Sequence, residues 1–183
     1  MDLKEAMLQR RSIRAYKSVP VEREKLLAVL EAGAYAPSAM NNQARQFVAI
    51  TDEKALEKIN SAVYALSDEA TRERIIGRSE TGEFNFFYKA PVLIAVCCDP
   101  EQMRPIEDCA CALENMFLTA YSLGLGSCWI NQLTDISGDE PVKSTLESLG
   151  MKKGYKVYGC CALGYPAVEG KLSKPKTNEI VIS

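Results

Sequence analysis

The sequence predicts one domain of the α+β class, in which helices outnumber strands. Amphipathic helical segments alternate with short apolar runs along the chain, as expected for helices packed against a small sheet. No internal repeat, low-complexity tract or Pro/Gly/Ser-rich linker divides the 183 residues. Because a chain of this length can bury a single hydrophobic core, we predict one domain over residues 1–183.

The elements of the N-terminal half follow from the spacing of the apolar side chains. Helical periodicity predicts helices over residues 2–10 and 22–34. Residues 46–51 are apolar and partly β-branched, which predicts a strand, and a helix follows over residues 52–66 with an Asp at its start. Residues 67–88 are charged and then aromatic, which predicts a short helix and a loop.

The C-terminal half continues the same alternation. Apolar runs predict strands over residues 92–98, 127–131 and 157–163. Between them, helices are predicted over residues 106–123, which a glycine ends, and 141–149, which begins with Pro and is followed by Gly. The first of these two is the predicted central core helix. Its predicted buried face consists of Ile106, Ala110, Leu113, Phe117 and Ala120.

Composition excludes several classes of protein and of chemistry. The 22 Lys and Arg against 24 Asp and Glu give a formal net charge of −2, which supplies no general attraction to nucleic acid or to an anionic membrane. The absence of histidine excludes Ser-His-Asp and Cys-His catalysis and removes the commonest transition-metal ligand. We therefore expect no nucleic acid, no membrane and no metal as partner, and chemistry that depends on other side chains or on a bound cofactor.

The seven cysteines indicate reduced thiols rather than a disulfide framework. Their number is odd, and Cys97-Cys98 and Cys160-Cys161 are adjacent pairs whose side chains would point to opposite faces of a strand. No apolar segment typical of a secretory signal follows the charged N-terminus, and the longest apolar run, residues 90–98, is too short to span a bilayer. The sequence thus predicts a cytoplasmic protein.

Three arginines and a serine form what we call the arginine cluster, Arg10-Arg11-Ser12-Ile13-Arg14, directly after the first predicted helix. Guanidinium groups match phosphate oxygens in a bidentate manner and a serine hydroxyl adds a further donor, so the cluster suits a phosphate monoester. The alternative is that these cations only offset the helix macrodipole and remain solvated. The cluster alone does not decide between the two.

Two further segments are able to approach a ligand closely. Residues 36–43, the polar loop, carry several hydrogen-bonding side chains and none that ionises. Residues 123–132 lead from a helix into a strand through glycines that permit close backbone approach. Their spacing is not GxGxxG, which argues against a Rossmann dinucleotide site. Turn and cap chemistry explains each segment equally well when it is taken alone.

Taken together, these segments resemble the FMN-dependent nitroreductase family, in the same order and over nearly the whole chain. The matching pieces are RRSIR at residues 10–14, APSxxNxQ at 36–43, APVLI at 90–94, GLGSCWI at 124–130 and LGYP at 163–166. The resemblance implies a nitroreductase-like fold, with a central mixed, mostly antiparallel sheet flanked by helices, in an intertwined homodimer. The C-terminal tail, about residues 167–183, would extend to the partner subunit.

Carried over residue by residue, the resemblance implies an FMN site shared by two subunits. The arginine cluster and a second basic pair in the tail would hold the phosphate side, and the polar loop would approach from the other subunit. Near flavin N5, where family members usually have a small residue, Gln132 adds bulk; no side chain is implied as a catalytic acid, base or nucleophile. The implied cofactor-binding residues are Arg10, Arg11, Ser12, Arg14, Pro37, Ser38, Met40, Asn41, Asn131, Gln132, Lys174 and Lys176.

The implied activity is an oxidoreductase that uses NAD(P)H to reduce small acceptors such as nitroaromatics, quinones or enones, by ping-pong hydride transfer through flavin N5. The alternative is a flavin-binding sensor or storage module without appreciable turnover. For the polar contact to the pyrimidine ring of the flavin, the sequence leaves two candidates, Asn60 and Asn85. Several aromatic side chains are suited either to stacking on an acceptor or to the core: Phe84, Phe86, Phe87, Tyr88 and Trp129.

Overall fold

The computed structural model describes residues 2–170 together with Glu179, Val181 and Ile182. Within this part, seven α-helices and four strands form an α+β domain, which confirms the predicted class. Lys174, Lys176 and most of the predicted tail lie outside the described residues. The elements are α1 (Leu3–Gln9), α2 (Arg23–Ala34), β1 (Gln46–Ile50), α3 (Glu53–Leu66), α4 (Glu69–Ile76), β2 (Val92–Cys98), α5 (Pro105–Ser122), β3 (Gly126–Ile130), α6 (Gln132–Ile136), α7 (Val142–Ser148) and β4 (Lys156–Gly164).

The strands form a sheet in the order β1-β2-β4-β3, and each neighbouring pair is antiparallel. The segment after α1 continues along the free edge of β3. There Ser12 forms a parallel bridge with Ser127, and the backbone N–H of Ile13 donates to the carbonyl of Ser127 over 3.0 Å. The sheet edge therefore fixes the backbone of the arginine cluster.

Helices cover both faces of the sheet, and successive side chains of β2 pack alternately on one face and on the other. Cys97 and Cys160 pack on the face covered by α3, α6 and α7, whereas Cys98 and Cys161 pack on the face covered by α2 and α5. Side chains of successive strand residues point to opposite faces, so adjacent cysteines belong to different cores. The prediction that the two cysteines of each adjacent pair point to opposite faces of a strand is confirmed.

The buried face of α5 differs from the predicted one. Ile106 is 65% exposed and Ala110 is half-buried, because the buried stripe at the start of this helix runs through Asp108, Cys109 and Ala112 instead. The helix α6 was not predicted, since five residues are too few to display a helical period. The side chains that α5 buries are Asp108, Cys109, Ala112, Leu113, Met116, Phe117 and Ala120.

Among the described residues, none of the helices combines the length and the apolar character that crossing a membrane would require.

Candidate functional site

The arginine cluster forms one wall of a cleft of about 400 Å³. Three of its members, Arg11, Ser12 and Arg14, line this cleft together with the turn after α4 and the segment after β4. The turn contributes Arg78, and carboxylates stand at the cleft at Glu80 and Glu169. The cleft thus brings cations from two distant parts of the chain to one concave surface.

Arg14 has the geometry of a ligand-binding cation. Its guanidinium lies 5.8 Å from the centre of the Tyr88 ring, which holds the side chain from one side. Its Nε is buried and has no hydrogen-bond partner among the described residues. The residue as a whole is half-buried and lines the cleft, so the rest of its guanidinium is placed to contact an anion there.

Arg10 and Arg11 are placed differently from Arg14. The Arg11 Nη1 donates to the carbonyls of Leu8 and Arg10 over 2.8 and 2.7 Å, so this guanidinium caps the end of α1. Arg10 lies 5.6 Å over the Phe117 ring and 3.9 Å from the Glu114 carboxylate, and it does not line the cleft within the described residues. The alternative interpretation of the cluster, as helix-end cations, therefore applies to part of it.

Arg78 is a site residue that the sequence did not indicate. Burial raises the pKa of the Cys128 thiol in the middle of β3, while Arg14, the Ser12 hydroxyl and then Arg78 and Arg10 oppose that rise. Arg78 and Arg14 also line the same cleft. Arg78 follows a short charged helix in a segment without clear periodicity, and its distance of 64 positions from Arg14 leaves no local pattern that pairs them.

The polar loop lies apart from the cleft and is hydrogen-bonded to the first turn of α5. Pro37, Met40 and Asn41 are exposed, whereas Ser38 is half-buried and its Oγ accepts from the backbone N–H of Gln43 over 3.0 Å. Within the described part of one chain, no residue of this loop lines the cleft. The contact of this loop with the flavin of a second copy stays a prediction.

The residues predicted near flavin N5 follow β3 directly. Trp129 packs 6.0 Å from the Phe117 ring, and its Nε1 donates to the Oδ1 of Asn131. Gln132 begins α6, and its Oε1 is buried without a hydrogen-bond partner in the described part of the chain. An unpaired acceptor is thus present where the sequence predicted extra bulk.

Comparison with known proteins identifies the family of this chain. The model of the nitroreductase family matches residues 7–165. The chain belongs to the nitroreductase family. A protein from Archaeoglobus fulgidus, provisionally named NADH dehydrogenase/NAD(P)H nitroreductase, is 30% identical over 168 residues, which cover 87% of this chain and 83% of the relative. The family is a group of oxidoreductases, so the prediction of an enzyme is confirmed.

Solved structures of nitroreductases share the fold. A nitroreductase with bound FMN from Bacteroides fragilis is 44% identical, with a TM-score of 0.86 over 100% of this chain and 99% of the other. A nitroreductase with bound FMN from Desulfitobacterium hafniense is 26% identical, with a TM-score of 0.88 over the same shares of the two chains. The predicted nitroreductase-like fold is confirmed.

The cysteines of this nitroreductase-family chain do not supply a nucleophile at the cleft. Six of the seven are buried in the described structure, and Cys111 is exposed on α5. Burial, with a smaller effect of Cys98, raises the pKa of Cys97 to about 12, so this thiol is protonated at neutral pH. The described residues also contain no group of three or more Cys, Asp or Glu side chains placed to hold a metal ion.

A strained turn holds the aromatic partner of Arg14. Tyr88 and Lys89 have φ values of 57° and 55°, and the Oδ1 of Asn85 accepts from the backbone N–H of Phe87 and Lys89 over 3.2 and 2.8 Å. Most of the aromatic run 84–88 belongs to the core. The sequence left the polar contact to the pyrimidine ring open between Asn60 and Asn85. Both asparagines line a second cleft of about 650 Å³ rather than the first.

Replacement of Asn85 by Ala should lower the free energy of unfolding by about 1–2 kcal/mol, because two backbone donors of a strained turn lose their acceptor. Asn85→Asp keeps an oxygen in the same place and should lose less. Urea denaturation of both variants measures the difference. Equal losses for Ala and Asp would show that the hydrogen bonds do not maintain the turn.

Proposed function

We propose that this member of the nitroreductase family binds FMN and uses NADH or NADPH to reduce small organic acceptors such as nitroaromatics, quinones or enones. The observation that carries this proposal is the cleft at the arginine cluster, which Arg11, Ser12, Arg14 and Arg78 line together. The two relatives with bound FMN, at 44% and 26% identity, support the same cofactor for this chain.

The residues of the cleft fit a phosphate monoester in number and chemistry. Arg14 and Arg78 offer guanidinium donors, and Ser12 offers a short hydroxyl donor beside them. Arg11 contributes charge, although its Nη1 is already engaged by two carbonyls. The cationic groups outnumber the carboxylates at the cleft, so the local field favours an anion in a chain whose net charge is −2.

FMN, when bound, supplies the hydride-transferring centre that the side chains of this protein lack. The half-buried Arg14 would hold its negative charge where electrostatic interactions are stronger than in water, and the exposed Arg78 would add a second cation at the cleft. Gln132 would restrict the space for an acceptor at the end of β3. We include Asn131 in the same wall.

We further propose that the site is completed in a homodimer. The polar loop presents exposed Met40 and Asn41 away from the cleft of its own chain. Large apolar side chains are also exposed on α1 and at the start of α5, which is typical of a surface that a second copy covers. These side chains are Leu3, Met7, Leu8, Met103 and Ile106. Lys174 and Lys176 stay in the proposal as a second basic pair.

Spectroscopy and steady-state kinetics of the purified protein test this function together. We expect stoichiometric FMN, whose visible absorption is lost on anaerobic addition of NADH or NADPH and returns on addition of a quinone or a nitroaromatic. Because NAD(P)H and the acceptor would use one face of the site in turn, double-reciprocal plots of the initial rate should give parallel lines, as ping-pong turnover requires.

The outcomes separate the alternatives. Intersecting lines would contradict ping-pong turnover while leaving the cofactor in place. Stoichiometric FMN with no turnover on any of these acceptors would favour a sensor or storage protein. Protein that takes up no FMN would refute the proposed function.

A further inference from the structure

The polar loop has a backbone that its sequence does not favour. Met40, Asn41 and Gln43 have φ values of 51°, 55° and 52°, in the left-handed region that non-glycine residues rarely adopt. Met40 is also 81% exposed, so the burial of its side chain does not offset the strain. Strained positions of this kind persist only where the surrounding structure enforces them, and they are common where a protein holds a ligand.

Arg45 enforces this conformation from the sheet side. It directly precedes β1, and its guanidinium forms short hydrogen bonds to three carbonyls of the loop and of the α5 helix. Nη1 donates to Pro37 over 2.8 Å and to Asp108 over 2.9 Å, and Nη2 donates to Ala36 over 2.6 Å. A planar guanidinium is suited to such a cluster of carbonyls, because its donors have a fixed geometry.

Asp108 enforces the loop from the helix side. It lies in the first turn of α5 and is 8% exposed, and its Oδ1 accepts from the backbone N–H of Ala39 over 2.9 Å. Asp108 therefore holds the loop twice, directly through its carboxylate and indirectly through the carbonyl that Arg45 binds. The loop is thus tied to the residue before β1 through Ala36 and Pro37, and to the α5 helix through Ala39.

We propose that Arg45 and Asp108 are positioning residues, which hold the polar loop in the strained form that presents Met40 and Asn41 to the FMN of a second copy of this chain. The inference rests on the proposed function. A loop released from this clamp would relax toward ordinary φ values and would have to be reordered on binding, which weakens FMN affinity.

FMN affinity, measured by fluorescence titration of the full-length protein, tests the clamp through a set of matched variants. Asp108→Ala should weaken binding by about tenfold, because the Ala39 donor loses its acceptor. Asp108→Asn keeps an oxygen acceptor and should rescue binding to within about threefold of the wild type. Glu107→Gln makes the same change of charge in the same turn, where Glu107 faces Arg104 rather than the loop, and should bind normally.

FMN binding by Asp108→Asn distinguishes positioning of the loop from an effect of the negative charge at the start of α5. Equal losses in Asp108→Ala and Asp108→Asn would indicate that the charge at the start of α5 matters, and would overturn the proposal. If Asp108→Ala does not fold, Ala39→Pro removes the same hydrogen bond from the loop side, at a turn position where proline is tolerated, and should bind about tenfold more weakly. Wild-type affinity in that variant would also overturn it.

Failure of the clamp and failure of the proposed function give different results. Wild-type protein that binds no FMN refutes the function, and with it the ligand that the clamp serves. Wild-type protein that binds FMN, together with loss of binding in Arg14→Met and normal binding in both Asp108→Ala and Arg45→Met, overturns the clamp alone. The expected pattern is weak binding in all three of these variants and normal binding in Glu107→Gln.

Discussion

Replacement of Arg14 by Met is expected to remove most of the FMN affinity while leaving the FMN-free protein about as stable as the wild type. Each hydrogen bond between the guanidinium and a phosphate oxygen contributes about 1.5–3 kcal/mol, so two such bonds amount to a loss of at least about a hundredfold. In the FMN-free state the substitution removes a buried, unpaired Nε, and this gain offsets the loss of the contact with the Tyr88 ring.

Two measurements on the same variant check this prediction. Fluorescence titration gives the dissociation constant for FMN, and thermal unfolding of FMN-free protein gives the stability. Arg10→Met is the matched control within the cluster, because Arg10 lies over Phe117 and near Glu114 rather than in the cleft, and its loss of affinity should be smaller. A larger loss in Arg10→Met than in Arg14→Met would place the phosphate on the other side of the cluster.

Replacement of Gly126 by Ala is expected to damage stability and FMN binding together. A Cβ at this position would lie 2.8 Å from Cγ1 and 2.9 Å from Cβ of Ile13, closer than carbon atoms pack. Ile13 is itself buried, so it has little space to move, and overpacking of this kind costs about 1–3 kcal/mol. Because Ser12 and Arg14 flank Ile13, any shift of that side chain displaces the donors of the cleft.

Urea denaturation and FMN titration of Gly126→Ala measure both effects. Gly138→Ala is the control, because a Cβ there meets no atom of the described structure within 4 Å and should change stability by less than about 0.5 kcal/mol. Normal stability with normal FMN affinity in Gly126→Ala would mean that the cluster backbone is free to move relative to β3. Lower stability with unchanged affinity would mean that the packing between Gly126 and Ile13 supports the fold but not the binding of FMN in the cleft.

Much of the fold could be predicted because it depends on local periodicity. Each strand of the sheet matches a predicted apolar run within about one residue, and the opposite placement of Cys97 and Cys98 follows from the two-residue repeat of a strand. The predicted buried face of α5 was wrong at Ile106, since the helix repeat alone does not reveal that a buried aspartate, Asp108, faces the core side in the first turn.

The candidate site, like the fold, could be predicted only in part from the sequence. The sequence alone determined an α+β chain without histidine chemistry and a cluster of arginines able to bind an anion. Only the tertiary structure decided that Arg14 faces the cleft, that Arg10 packs on an aromatic ring, and that Arg78 joins the site. It also decided the partners of Arg45, whose guanidinium binds the carbonyls of two separate segments. The reason is physical: composition and periodicity act between neighbours along the chain, whereas the direction of a long cationic side chain depends on which surfaces folding brings beside it.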